Sequence, residues 1–206
     1  MRENRMKSVL EAGGVPVGHM ISEFATRGIA KLLEPAGVDF AVIDLEHTGH
    51  SSEKVADLMA WFKAVTVTPF VRVPQPLYHF MARSLDAGGM GVMIPNVETA
   101  DAAREVVSAV KYAPLGNRGV GLGTALTDFL LPKDPAAFFE ESNSKTSVIC
   151  QIESAKGVAN AGAIAATEGV DVLWAGHYDL SVSMGIPGDF QTVENDACSF
   201  LRDCGP

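Results

Sequence analysis

PLGNRGVGLG, residues 114–123, is the glycine-dense stretch of the chain, and its position decides between two folds. A doubly wound, dinucleotide-binding sheet needs GxGxxG directly after an early strand, where the backbone turns tightly under a pyrophosphate. Here the glycines fall in a long mid-chain loop, with four strand-like runs already behind them. Working outward, short apolar runs at 15–20, 40–45, 68–73, 91–94, 147–152 and 172–175 alternate with segments of helical periodicity at 4–12, 23–33, 52–62, 78–87, 99–110, 135–141, 158–166 and 192–201. That alternation is the pattern of a parallel α/β fold. The expected architecture is a (β/α)8 TIM-type barrel, forming one domain over residues 1–206. A full barrel takes about 250 residues. This one is expected to lack, or not to show, its last two strand–helix units, with Cys204, Gly205 and Pro206 standing where a seventh strand is due.

A barrel builds its active site at the C-terminal ends of its strands, so the residues just after each apolar run carry the information. FAVIDL carries Asp44 near its end and is followed by Glu46, His47 and His50; PFVRV places Arg72 near its end. SVICQI carries Gln151 near its end and is followed by Glu153, and VDVLWAG opens into His177, Tyr178 and Asp179. Two acids, a histidine and an arginine thus meet on one rim from distant positions. Each has a plainer reading. Glu153 and Asp179 can be surface carboxylates or helix caps, with Asp179 well placed to cap DLSVSMG. Taken together, two carboxylates with the other positions left to water and substrate suit Mg²⁺ or Mn²⁺. His47 is either a structural histidine or a base, and a His47–His50 zinc pair lacks a third soft ligand. Arg72, inside an apolar strand, needs a partner: an internal carboxylate or a developing enolate oxygen. Asp86 closes a helix at the far end from the rim, so it is an exposed acid or serves another subunit. The 116–123 loop either cradles a phosphate or is a tight turn whose Arg118 pairs with a nearby acid.

Composition narrows the partners. Sixteen Lys and Arg against 25 Asp and Glu give a formal net charge of -9, which offers no electrostatic footprint for nucleic acid or an anionic membrane. Three cysteines without a CxxC pair point to neither a disulfide framework nor a thiolate metal site. MRENRMKSVLEAGG lacks the apolar core of a signal peptide, and no run approaches the ~20 apolar residues of a membrane span, so a cytoplasmic location is expected. The cysteines and Met20, Met59, Met81, Met90 and Met93 read as core filler.

The strings FAVIDLEHTGHS, PFVRVP, LDAGGMGVMIPNVETADAAREVV, KYAPLGNRGVG and CQIESAKGVANAGAIAATEGVDVLWAGHYDLSVSMGIPG, in this order, resemble the class II pyruvate-dependent aldolases of the HpcH/HpaI aldolase/citrate lyase family, of the 4-hydroxy-2-oxoheptanedioate and 2-dehydro-3-deoxyglucarate aldolase type. The resemblance implies a divalent metal (Mg²⁺, Mn²⁺ or Co²⁺) held by Glu153 and Asp179, with pyruvate or its enolate completing the coordination. It implies Arg72 at the keto oxygen, and His47 as base with Asp44 and Asp86 as candidates to orient it. Gln151 and the backbone at Gly176 are then expected near the pyruvate carboxylate. The implied reaction joins or splits 4-hydroxy-2-oxo acids, giving pyruvate and an aldehyde. The implied assembly is a homo-oligomer, a hexamer with exchanged C-terminal helices and the site at a subunit boundary, so that Asp86 is supplied by a neighbour. Alternatives on the same platform are a CoA-thioester lyase, an oxaloacetate decarboxylase and a non-catalytic small-molecule-binding relative. No Schiff-base lysine is called for, since Lys111 and Lys156 lie outside the strand interiors. The chain also departs from its relatives, with Gly176, His177, Tyr178 and Asp179 where Gly-Pro-Ala-Asp is frequent, Leu45 in place of glycine, and His19 where an aromatic residue is frequent.

Overall fold

A computed structural model describes residues 1–193 of the chain. Six strands, β1 (Gly18–Ile21), β2 (Phe40–Asp44), β3 (Thr68–Arg72), β4 (Gly91–Ile94), β5 (Ser147–Ile152) and β6 (Val172–Ala175), form one parallel sheet in the order β1-β2-β3-β4-β5-β6. The order never reverses. A doubly wound sheet turns back at a switch point and carries helices on both faces, whereas right-handed crossovers in unbroken sequence stack every helix on one side. The sheet therefore curls into a half-barrel, consistent with a partial TIM-type barrel.

Alternation along each strand sorts side chains between two apolar layers. Ala41, Ile43, Val71, Val92, Ile94, Val148, Cys150 and Ile152 point outward to the helices. There they meet Val55, Leu58, Met59 and Phe62 of α3 (Ser52–Phe62), Met81 and Leu85 of α4 (Tyr78–Asp86), and Val106, Val107 and Val110 of α5 (Ala100–Val110). Phe40, Val42, Phe70, Met93 and Ile149 point inward and make a second, smaller cluster with Met90 and Met6. Strands buried on both faces explain the continuous apolar runs in the sequence. Higher up the inward face the residues change character to Asp44, Arg72 and Gln151.

The other end of the half-barrel is plugged. Helix α1 (Arg5–Glu11) carries Met6 into the inner cluster, and its cap Asn4 donates to Ser147 Oγ at 2.9 Å and to the Lys145 carbonyl at 2.7 Å. Arg5 Nε reaches Asp39 at 2.6 Å and Lys7 reaches Asp171 at 2.6 Å.

Local chemistry accounts for the helix ends. Ser51, one residue ahead of the expected start, accepts from the Lys54 N–H at 3.2 Å; Thr99 accepts from Ala102 at 3.1 Å. Gly88, at φ +109°, takes the left-handed turn after α4. Four segments differ from expectation. β1 starts at Gly18, because Val15 and Val17 are exposed at the sheet edge. The helix expected over 23–33 shrinks to α2 (Ile29–Leu33), with Arg27 and Gly28 left as a turn before it. The helix expected over 135–141 continues to Lys145 as α6 (Pro135–Lys145), whose Asn143 exchanges hydrogen bonds with the Tyr112 backbone. The helix expected over 158–166 is two, α7 (Ala155–Ala159) and α8 (Ala161–Ala165), broken at Asn160, whose side chain donates to the Glu98 and Lys156 carbonyls. After β6 come α9 (His177–Ser183) and the short α10 (Phe190–Val193). The rest of the helix expected over 192–201 lies outside the described residues, as do Cys198 and Cys204. Among the described residues, no helix is long and apolar enough to cross a membrane.

Candidate active site

Asp44 and Arg72 stand opposite each other in the β2–β3 register, at the top of the inward face. Arg72 Nε donates to Asp44 Oδ1 at 2.8 Å and Nη2 to Oδ2 at 2.7 Å, a two-pronged pairing that fixes the guanidinium plane. Burial works against the charged form of Asp44, but the bonds from Arg72 and from the Glu46 and His47 backbone N–H groups outweigh it. Its carboxyl lies below the ordinary aspartate value. The third Arg72 nitrogen, Nη1, faces Glu46 Oε2 at 3.2 Å, and the same oxygen is 3.8 Å from His47 Nε2. Asp44 thus orients Arg72, and Glu46 is the carboxylate beside the His47 ring.

Glu153 lies just past β5, buried, with Oε1 accepting the Asn96 N–H at 2.6 Å and Oε2 accepting from Gln151 Nε2 at 2.6 Å. Asn96 adopts φ 52°, a left-handed conformation that asparagine tolerates better than most residues. Burial pushes the Glu153 carboxyl up to about 7; the Asn96 bond opposes this, and the Glu46 and Asp179 carboxylates add to it. Glu46 is raised as well, first by burial. Gly176, between β6 and α9, packs directly on this pair: a Cβ there would lie 2.6 Å from Glu153 Oε2 and 2.9 Å from Gln151 Nε2. Only glycine fits.

Two adjoining cavities open on this rim. One, of about 440 Å³, is lined by Glu46, Asn96, Glu153 and Ser154; the other, of about 390 Å³, by Arg72, Gln151, Trp174, His177 and Tyr178. His47 and Asp179 line both. Asp179 is not a cap, since α9 begins at His177 and the aspartate sits in its first turn, exposed to the cavity. Among the described residues, no cluster of three or more His, Cys, Asp or Glu is grouped to hold a metal ion. Glu153 and Asp179 both line the larger cavity. Gln151 Oε1 is buried without a hydrogen-bond partner, and Glu46 Oε2 has the Arg72 ion pair but no hydrogen bond, so acceptor oxygen in this region is left undersupplied. An all-oxygen set of that kind fits a hard divalent cation.

The remaining candidates lie elsewhere. Asp86 ends α4 at the opposite end of the sheet, where its carboxylate takes a 2.6 Å bond from Arg118. Arg118 is buried and stacks on the Tyr112 ring at 4.7 Å. The 116–123 loop is accordingly a structural turn: successive N–H groups of Gly116, Asn117, Arg118 and Gly119 go to Tyr112 O, Ser108 O, Lys111 O and the Tyr78 hydroxyl. The N–H groups of residues 116–119 are thus spent within the chain. Lys111 is desolvated, its amine lowered by burial to about 8, but it is spent on the Asn143 and Thr146 carbonyls. Lys156 pairs with Glu98 at 3.0 Å. The residues that the sequence left without a role are Glu46, Asn96 and Trp174. Only Glu46 carried a signal, at the same-face spacing from Asp44.

The family model described as HpcH/HpaI aldolase/citrate lyase matches residues 22–200. The 5-keto-4-deoxy-D-glucarate aldolase of Salmonella paratyphi A is 37% identical over 187 residues, which is 90% of this chain and 71% of the relative. Among solved structures, the HpcH/HpaI aldolase from Desulfitobacterium hafniense superposes with a TM-score of 0.91 at 34% identity, over 97% of this chain and 76% of its own. An aldolase/citrate lyase family protein from Burkholderia cenocepacia gives 0.88 at 33% identity, over 98% and 80%.

Proposed function

The chain belongs to the HpcH/HpaI aldolase/citrate lyase family, and from that premise we infer a class II aldolase, a carbon–carbon lyase that splits or forms 4-hydroxy-2-oxo acids. The observation that carries the reading is the Arg72 guanidinium, locked by Asp44 beside buried Glu153, with Asp179 across the same rim. Splitting the bond to C3 of a 2-oxo acid leaves a pyruvate enolate, with negative charge on its keto oxygen. A donor already held in place meets that charge without reorganising, and such preorganisation is worth most where water is excluded. Arg72 is that donor. His47, at the mouth of both cavities, moves the proton, and Glu46 lies within reach of its ring. Gln151 and the Gly176 backbone line the place assigned to the pyruvate carboxylate.

Glu153 and Asp179 are the residues proposed to hold a divalent metal. When bound, Mg²⁺, Mn²⁺ or Co²⁺ supplies positive charge to the substrate's carboxylate and keto oxygens. The eight-unit barrel is proposed as the family-length architecture, with the six strands described here as its first six. A homo-oligomer, a hexamer by resemblance, is proposed as the working assembly. In that assembly Asp86 can act only on a neighbouring copy's rim, for in its own chain it faces away.

The test needs no aldehyde. In D₂O with Mg²⁺ or Mn²⁺, the wild type should exchange the pyruvate methyl protons, read as loss of the proton NMR signal, and EDTA should stop it. Glu153→Ala and Asp179→Ala should each lower the exchange rate by at least about a hundredfold. Full exchange in both variants overturns the reading.

A further inference from the structure

The two rim cavities differ in chemistry. One is walled by carboxylates, whereas the other, beside Arg72, is walled by rings. His177 and Tyr178, the first two residues of α9, hold their rings 4.7 Å apart at 41°. Phe190 of α10 meets both edge-on, at 5.0 Å and 83° to His177 and at 4.7 Å and 72° to Tyr178. Edge-to-face and offset contacts of this kind are the favoured aromatic geometries, so the rings are wedged in position. Trp174, paired in register with Gln151, brings a third aromatic surface to the cavity from β6.

Charge sets the second condition. Among the described residues lining this cavity, Arg72 is the one lysine or arginine, and all three of its nitrogens face carboxylates already: Asp44 twice and Glu46 once. With Arg72 given to the enolate and Asp179 to the metal, neither is left to pair with a carboxylate on the acceptor. A flat, uncharged acceptor meets the opposite situation: π surface to stack on and no charge to desolvate.

We propose that the aldehyde partner of pyruvate is an uncharged aromatic aldehyde, seated against Tyr178, His177 and Trp174. This rests on the aldolase reading above. In the direction of synthesis, C3 of pyruvate gives up a proton and its electron pair forms the bond to the aldehyde carbon. The carbonyl π pair moves to the aldehyde oxygen, and that oxygen takes up a proton. With benzaldehyde the product is 4-hydroxy-2-oxo-4-phenylbutanoate. Atoms and charge balance, and nothing is oxidised or reduced.

The experiment uses the full chain with Mg²⁺ or Mn²⁺ and saturating pyruvate, and compares kcat/KM for benzaldehyde with that for glyoxylate, a small aldehyde carrying a carboxylate. The wild type should favour benzaldehyde by at least about tenfold, the scale of one good aromatic contact. Tyr178 is largely exposed, so replacing it leaves the core intact. Tyr178→Ala should narrow the ratio at least about fivefold, and Tyr178→Phe, which keeps the ring, should preserve it. A wild type that favours glyoxylate, or a ratio unmoved by Tyr178→Ala, overturns the proposal. Pyruvate methyl exchange in the same wild-type sample separates the two levels. Exchange without an aromatic preference removes only the acceptor assignment, whereas no exchange with either metal removes the aldolase reading itself.

Discussion

Asp44 accepts four donors: two nitrogens of Arg72 and the backbone N–H groups of Glu46 and His47. Each of these favours its ionised form, and together they overcome burial. The fold therefore binds this proton less readily than the unfolded chain does, whose ordinary value is 3.8. The resulting stability is complete above that pH and drains away as the pH falls below it, through the lower folded value. Asp44→Asn keeps the shape but not the charge. Urea titrations should show wild type and variant differing most near neutrality and converging as the pH falls from about 3.8 through the lower folded value, beneath which both carry a neutral side chain. A constant gap across that range would mean the carboxylate's charge is not what stabilises. Arg72 and Asp44 were legible in the sequence because a charge inside an apolar run has to be explained. Their pairing was not, since it depends on which strands are neighbours. The shift from Asp44 to Glu46 as the neighbour of the His47 ring comes from the turn after β2, which no periodicity describes.

At the scale of elements, the strands were the most readable part. Runs buried on both faces are apolar throughout, and five of the six strands both start and end within one residue of the places their composition indicates. Helices failed where a single polar side chain competes for the backbone. Asn160 captures two carbonyls and divides one helix into two, an event its neighbours Ala159 and Ala161 give no hint of. The N-terminal helix was visible as a helix, but its use as a stopper was not. Met6 is 3% exposed, inside the inner cluster with Phe40, Phe70 and Ile149. Met6→Ala should cost about 2–5 kcal/mol in denaturant unfolding, the range for a buried Met reduced to Ala. Pyruvate exchange by the folded fraction should persist, because the cavity it opens lies in the apolar layer below the polar rim. Loss of exchange at unchanged stability would show that the layers are coupled.

For the whole molecule, the sequential sheet separates an apolar lower layer from a polar upper one, and glycine placement was enough to anticipate that order. It was not enough to show which rim residues share a cavity, because Glu153 and Asp179 follow different strands and meet only in three dimensions. If those two hold the metal, binding it must stabilise the native state over the unfolded one. Saturating Mn²⁺ or Mg²⁺ at a hundred times its dissociation constant should add about 2.7 kcal/mol, read as a rise in Tm that EDTA reverses. Glu153→Gln should show no such rise; an equal rise would place the ion elsewhere. The stopper at the N-terminal mouth has one more consequence, which concerns traffic. In the closed barrel proposed above, with that mouth shut, reactants and products would share a single doorway, and Gln151 is buried at 4% exposure while Tyr178 stands at 66%. Pyruvate is then first in and last out. In the cleavage direction pyruvate should inhibit competitively with the hydroxy-oxo acid and the aldehyde noncompetitively, because the molecule nearer the door always leaves before the one behind it.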